Sequence, residues 1–99
     1  MSRASPFADR RLMSISRNEF ATSIAKLGCH RTSASGHPVF DLDGNASVEI
    51  HFADAPPKTL GGLLALPQAV VTLVFSDSNN AARDAFVRRF DIAFQRGGG

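Results

Sequence analysis

Between Gly28 and Phe52 the stretch GCHRTSASGHPVFDLDGNASVEIHF carries the only cysteine, Cys29, and all three histidines, His30, His37 and His51, with Asp41, Asp43 and Glu49 among them. Thiolate, imidazole and carboxylate are the donors that hold zinc and related divalent ions. A thiol beside an imidazole is also a pair from which a nucleophile can be made. The spacing supplies neither in a simple form, since there is no CxxC and no HxxxH. Cys29 and His30 are adjacent, so their side chains diverge in an extended segment. DLDGN begins like a calcium loop but lacks the later ligands and the closing bidentate glutamate.

What brings chemistry together must therefore be the fold. Ahead of the segment, ISRNEFATSIAKLG reads as a helix. Ser16 and Glu19 form a capping box, Ile15 and Phe20 its hydrophobic staple, and Phe20, Ile24 and Leu27 an apolar stripe. Gly28 ends that helix and sets Cys29 at a position that packs back on Ile24. The helix C-terminus, being the negative end of the dipole, disfavours a thiolate there. A structural cysteine is the better reading than a catalytic one.

HPVFDL and ASVEIHF, separated by Asp43, Gly44 and Asn45, read as a β-hairpin. A three-residue loop pairs Leu42 with Ala46, Phe40 with Val48 and Pro38 with Ile50, and puts all six on one face. A two-residue turn would bring Asp41 to the core side beside Val48, because a slip by one residue exchanges the faces. The first register is preferred. It sets His37 opposite His51, with Cβ atoms about 4.5–5.5 Å apart, and Glu49 or Asp41 nearby. His37 and His51 are thus the candidate metal ligands, and a divalent metal is the one cofactor the residue types suggest.

Residues 53–67, ADAPPKTLGGLLALP, hold Pro56-Pro57 and Gly61-Gly62 and too many leucines for a solvated linker. They are expected as an ordered loop covering the end of the core, or as a short extra element. QAVVTLVF, residues 68–75, is apolar on both faces, which predicts a strand that is central or covered on its second side. SDSNNAARDAFVRRFDIAFQRG predicts a second helix with Phe86, Phe90 and Phe94 inward, Ile92 outward and Gly97 as its stop.

These elements predict an α+β two-layer sandwich of order α-β-β-β-α, with a mostly antiparallel sheet and both helices on one face. Residues 1–13 are expected as a flexible N-terminal tail, with Met13 a candidate alternative start, and residues 14–97 as the domain. The sheet face away from the helices stays open, so the expected interaction surface is Val39, Glu49, Val70, Thr72 and Val74, with Leu63 and Leu64 from the loop.

Composition narrows the function classes. The 99 residues fit one domain with 43% hydrophobic content and no Trp or Tyr, so the core rests on aliphatics and eight Phe. One cysteine excludes an internal disulfide and favours a cytoplasmic setting. No apolar run reaches the roughly 20 residues of a membrane span. A net charge of +2 is only mildly basic. Arg83, Arg88, Arg89 and Arg96 share the last helix with Asp84 and Asp91, and Arg3, Arg10 and Arg11 sit in the tail. That pattern is better explained as a solvated face than as a nucleic-acid surface. The sequence favours a non-enzymatic protein-interaction or ligand-binding module that dimerises through the open sheet face. A metal- or thiol-dependent protein using the histidine pair is the alternative, and weak nucleic-acid binding through the arginines a second one.

Overall fold

The computed structural model describes residues 7–28 and 30–94. Seven elements follow along the chain: β1 (Phe7–Met13), α1 (Arg17–Leu27), β2 (Arg31–Thr32), β3 (Pro38–Asp41), β4 (Ser47–Leu60), β5 (Leu64–Ser76) and α2 (Asn80–Ala93). The strands form one antiparallel sheet in the order β1-β5-β4-β3-β2. Both helices pack on the same face of it, which makes the two-layer α+β architecture expected from the pattern.

Local chemistry starts both helices and stops α1 as the sequence implies. Ser16 Oγ accepts from the Glu19 amide at 3.1 Å and Glu19 Oε1 accepts from the Ser16 amide at 2.9 Å, so two otherwise orphaned donors of α1 are satisfied reciprocally. Gly28 closes α1 at φ 110°, a backbone angle that disfavours any side chain. Asn79 caps α2 by accepting from the Ala82 amide at 2.8 Å. The predicted stop at Gly97, like the placing of Cys29, falls outside the described residues.

Between the layers the eight phenylalanines of the chain form one continuous series. Phe7 meets Phe75, Phe75 and Phe40 both meet Phe86, and from Phe86 the contacts run through Phe90 and Phe94 to Phe20 and Phe52. The series thus passes from β1 through the core to α1 and β4. Arginines close its rims: Arg83 lies over Phe7, Arg11 over Phe90, Arg89 over Phe86 and Arg17 over Phe52, with 4.4–5.7 Å from guanidinium carbon to ring centroid. Arg89 also donates to the Leu27 carbonyl at 3.3 Å, tying α2 to the C-terminal end of α1.

Two segments depart from expectation. The tail assigned to residues 1–13 is, in its described part, the edge strand β1, paired with β5 from Phe7↔Phe75 to Met13↔Ala69. Its helix-side residues are Phe7, Asp9, Arg11 and Met13, an alternation that hydropathy does not register. Arg11 bridges Asp9 and, on α2, Asp91. Burial disfavours the charged form of Arg11, and hydrogen bonds to Asp9 and Asp91 more than offset that, so its pKa stands above the usual value. Inward-pointing charges on an edge strand also discourage pairing with another chain.

Residues 53–67, expected as an ordered loop or a short extra element, prolong β4 and β5, which beyond the end of β1 run on as a two-stranded arm. The strands stay paired to Leu60↔Leu64 and turn at Gly61 (φ 64°) and Gly62 (φ 76°). Pro56-Pro57 is accommodated by a one-residue register shift between Ala55 and Lys58. Proline cannot donate to a ladder, and a bulge on an edge is where it is tolerated. The arm gives the molecule its elongated extents of 55 × 25 × 25 Å.

Phe90 is fully buried at the middle of the aromatic series. Phe90→Ala should cost about 3–5 kcal/mol, read as a lowered midpoint in urea unfolding; a loss below about 1 kcal/mol would show that the series is not the mechanical centre of the core.

Candidate functional site

The geometry of the hairpin β3–β4 decides what the histidines can do. The Leu42 amide donates to the Ala46 carbonyl at 2.8 Å across Asp43, Gly44 and Asn45, with Gly44 at φ 69°. This is the three-residue loop, and the pairs Val39↔Glu49, Phe40↔Val48 and Asp41↔Ser47 follow from it. Phe40, Val48 and Ile50 enter the core, while Val39, Glu49 and His51 take the face away from the helices.

His37 is set at the start of β3 by the preceding turn. The Ser33 amide donates to the His37 carbonyl at 2.8 Å, the His37 amide to Ser33 Oγ at 3.1 Å, and Gly36 supplies φ 90° between them. The His37 and His51 rings then stack, with centroids 4.0 Å apart and planes 14° from parallel. Glu49, two residues before His51 on the same face of β4, brings Oε2 to 2.9 Å from His51 Nε2. One ligand atom from each of His37, Glu49 and His51 lies within 4.8 Å of the other two.

The other candidates are drawn elsewhere. His30 packs at a tilt against Phe40, 5.2 Å between centroids, and so belongs to the helix side. Asp41, weighed as a carboxylate for the histidine pair, is engaged by Arg31, whose Nη2 lies 3.0 Å from Asp41 Oδ1. That hydrogen bond holds the Asp41 carboxyl below its ordinary pKa and raises the guanidinium of Arg31. Glu49 is therefore the carboxylate that joins the histidines. The role weighed for Cys29 falls outside the described residues.

The expected interaction surface is mostly one face. β5 alternates without interruption, so Val74, Thr72, Val70, Gln68, Leu66 and Leu64 all project to the side away from the helices. The bulge lies in β4 and leaves this strand in phase. Leu12 of β1 sits beside Val70, and Leu60 of β4 sits beside Leu64. Leu12, Leu60 and Leu64 are exposed, and Leu63 at the tip is 99% exposed. Val39 differs from the expectation: flanked by Arg31 and Glu49, it is only 5% exposed and offers little to a partner. The continuity of Leu64 and Leu66 with Val70 could have been found by extending the period-two pattern of residues 68–75 backwards through Pro67.

Among the described residues no buried side-chain nitrogen or oxygen lacks a hydrogen-bond partner. A groove of about 320 Å³ lies between the end of α1 and α2, lined by Lys26, Leu27, Arg89, Ile92 and Ala93. It lies on the helix side of the sheet, opposite the face of His37 and His51. The described helices include none long and apolar enough to cross a membrane. Compared with known proteins, the chain matches no family model and has no significant match among curated proteins or solved structures.

The Arg31–Asp41 pair has a definite pH sign. A carboxyl with a depressed folded pKa adds stability above its unfolded pKa and loses it as pH falls through the folded value. Asp41 should therefore titrate below the ordinary aspartate range in carboxyl NMR, and Arg31→Gln should move its midpoint upward; an unmoved midpoint would mean that the pair does not form in solution.

Proposed function

We propose that this protein is a small, non-enzymatic association module that pairs with a second copy of itself, open sheet face against open sheet face. The observation that carries the reading is one mostly apolar face of β5, Val74, Val70, Leu66 and Leu64 with Thr72 and Gln68 among them, which runs off the folded body onto an arm that no described helix covers. A two-stranded ribbon in water is marginally stable at best, so the part of the arm beyond β1, about 17 Å long from Ala55 to Leu60, needs something to pack on.

A second copy fits that need better than other occupants. The ladder registers make the surface about 33 Å long, up to four strands wide at the body and two in the arm, or roughly 500 Å² in projection. Side-chain relief brings its accessible area toward the roughly 800 Å² per partner of a standard interface. Two copies related by a two-fold axis would oppose identical strips and let each arm lie along the other's face, an isologous contact of the commonest kind.

Charge argues in the same direction. The arm carries only Asp54, bridged to Arg17 at 2.9 Å, and Lys58, so it offers nothing to a polyanion. Of the arginines considered for nucleic acid, Arg11, Arg83 and Arg89 are engaged within the fold. Arg3 and Arg96 fall outside the described residues.

Sedimentation equilibrium over a concentration series tests the reading. The wild-type chain should be dimeric at tens of micromolar, and Leu64→Asp/Val70→Lys should raise the dissociation constant at least about tenfold while leaving the circular dichroism spectrum unchanged. A wild type that stays monomeric throughout, or a double variant that dimerises as before, would overturn it.

A further inference from the structure

We infer that His37, Glu49 and His51 form a binding site for a zinc-class divalent ion. The donor set is two imidazoles and one carboxylate, the types such ions take. All three ligand atoms lie within 4.8 Å of one another, and His51 Nε2 and Glu49 Oε2 are already 2.9 Å apart. Around a tetrahedral ion with bonds of about 2.0–2.1 Å, neighbouring ligand atoms stand about 3.3–3.4 Å apart. Closing the remaining gap requires an imidazole of the stacked pair to turn about its side-chain bonds.

The backbone brings the three side chains to one face. The hairpin register faces His37 to His51, and the turn through Gly36 delivers His37 at the first position of that face. The rings lie face to face, 14° from parallel with centroids 4.0 Å apart, so one ion reaches both when a ring turns out of the stack and the two in-plane lone pairs converge. The side chains of His51 and Glu49 are 42% and 34% exposed, so an ion can enter directly from solvent and keep water, or accept a donor from another molecule, at its fourth position.

Two described cations share the sheet face with the cluster: Arg10, two strands from His51 across Thr72 and about 10 Å away at strand spacing, and Arg31, two strands from Glu49 across Val39. Arg31 is committed to Asp41. The carboxylate of Glu49 is therefore the dominant charge beside the imidazoles, and it favours a cation there. An ion held in this way would cross-link β3 to β4 and fix the rim of the open face.

Zinc chloride titrated into chelator-stripped protein tests the assignment by calorimetry and by histidine NMR. The expected result is saturable 1:1 binding that moves the ring signals of His37 and His51 and leaves His30 in place. His37→Ala and His51→Ala should each weaken binding at least about tenfold, since even residues that only support ligands cost that much when removed. The Leu64→Asp/Val70→Lys variant should bind zinc as the wild type does, which separates this site from self-association. No saturable binding, shifts centred on His30, or binding that survives both histidine substitutions would overturn the site; if either variant unfolds, the wild-type ring shifts alone decide.

Discussion

The pairing of β4 with β5 is the constraint on which the rest of the molecule depends. It runs from Ser47↔Ser76 to Leu60↔Leu64, and both the body and the arm are read off it. In the body it sets Val48, Ile50 and Phe52 beside Phe75, Leu73 and Val71 under the helices. Because side chains alternate along a strand, the same register sends Glu49 and His51, with Val74 and Thr72, to the opposite face. One set of backbone hydrogen bonds thus builds the core and the exposed surface together. A slip by one residue would bury Glu49 and His51 and expose Val48 and Ile50, at a cost no surface gain could offset.

The helical layer locks that register from one side only. The phenylalanine series joins β1, β3, β4 and β5 to both helices, and the arginines at its rims replace the Trp and Tyr that the chain lacks. Arg11, Arg17, Arg83 and Arg89 cover apolar rings with their guanidinium planes while reaching carboxylates or carbonyls. Much of the positive charge is in this way structural. Among the described residues the opposite face has no such layer, and the mostly apolar strip along β5 continues past the end of the helices.

Much of this was legible in the residues. The capping box, the glycine stop at Gly28, the aromatic stripe of α2 and the three-residue hairpin loop each have a local cause, and the hairpin register followed from requiring six apolar residues to share a face. The same requirement brings His37 opposite His51. What escaped has a physical reason too. β1 is held by pairing to β5 and by an Arg11–Asp91 contact between residues 80 apart in sequence, so its alternation is of charge and ring rather than of hydropathy. The arm escaped because Pro56, Pro57 and Pro67 ordinarily mark the end of a strand. A bulge absorbs the first two, and a two-stranded ribbon leaves edges free where proline needs no partner. The share of Glu49 rather than Asp41 in the histidine cluster depends on Arg31, whose small strand β2 no periodicity reveals.

Hydrogen–deuterium exchange along the β4–β5 ladder, followed as a function of protein concentration, tests the central claim most directly. Amides of the body, such as those of Ile50 and Leu73, should exchange only through global unfolding at every concentration. Amides of the arm at Thr59 and Ala65 should be protected where the chain is self-associated and lose that protection on dilution. Arm protection that does not change with concentration would contradict the account, as would arm amides that exchange freely even at the highest concentration.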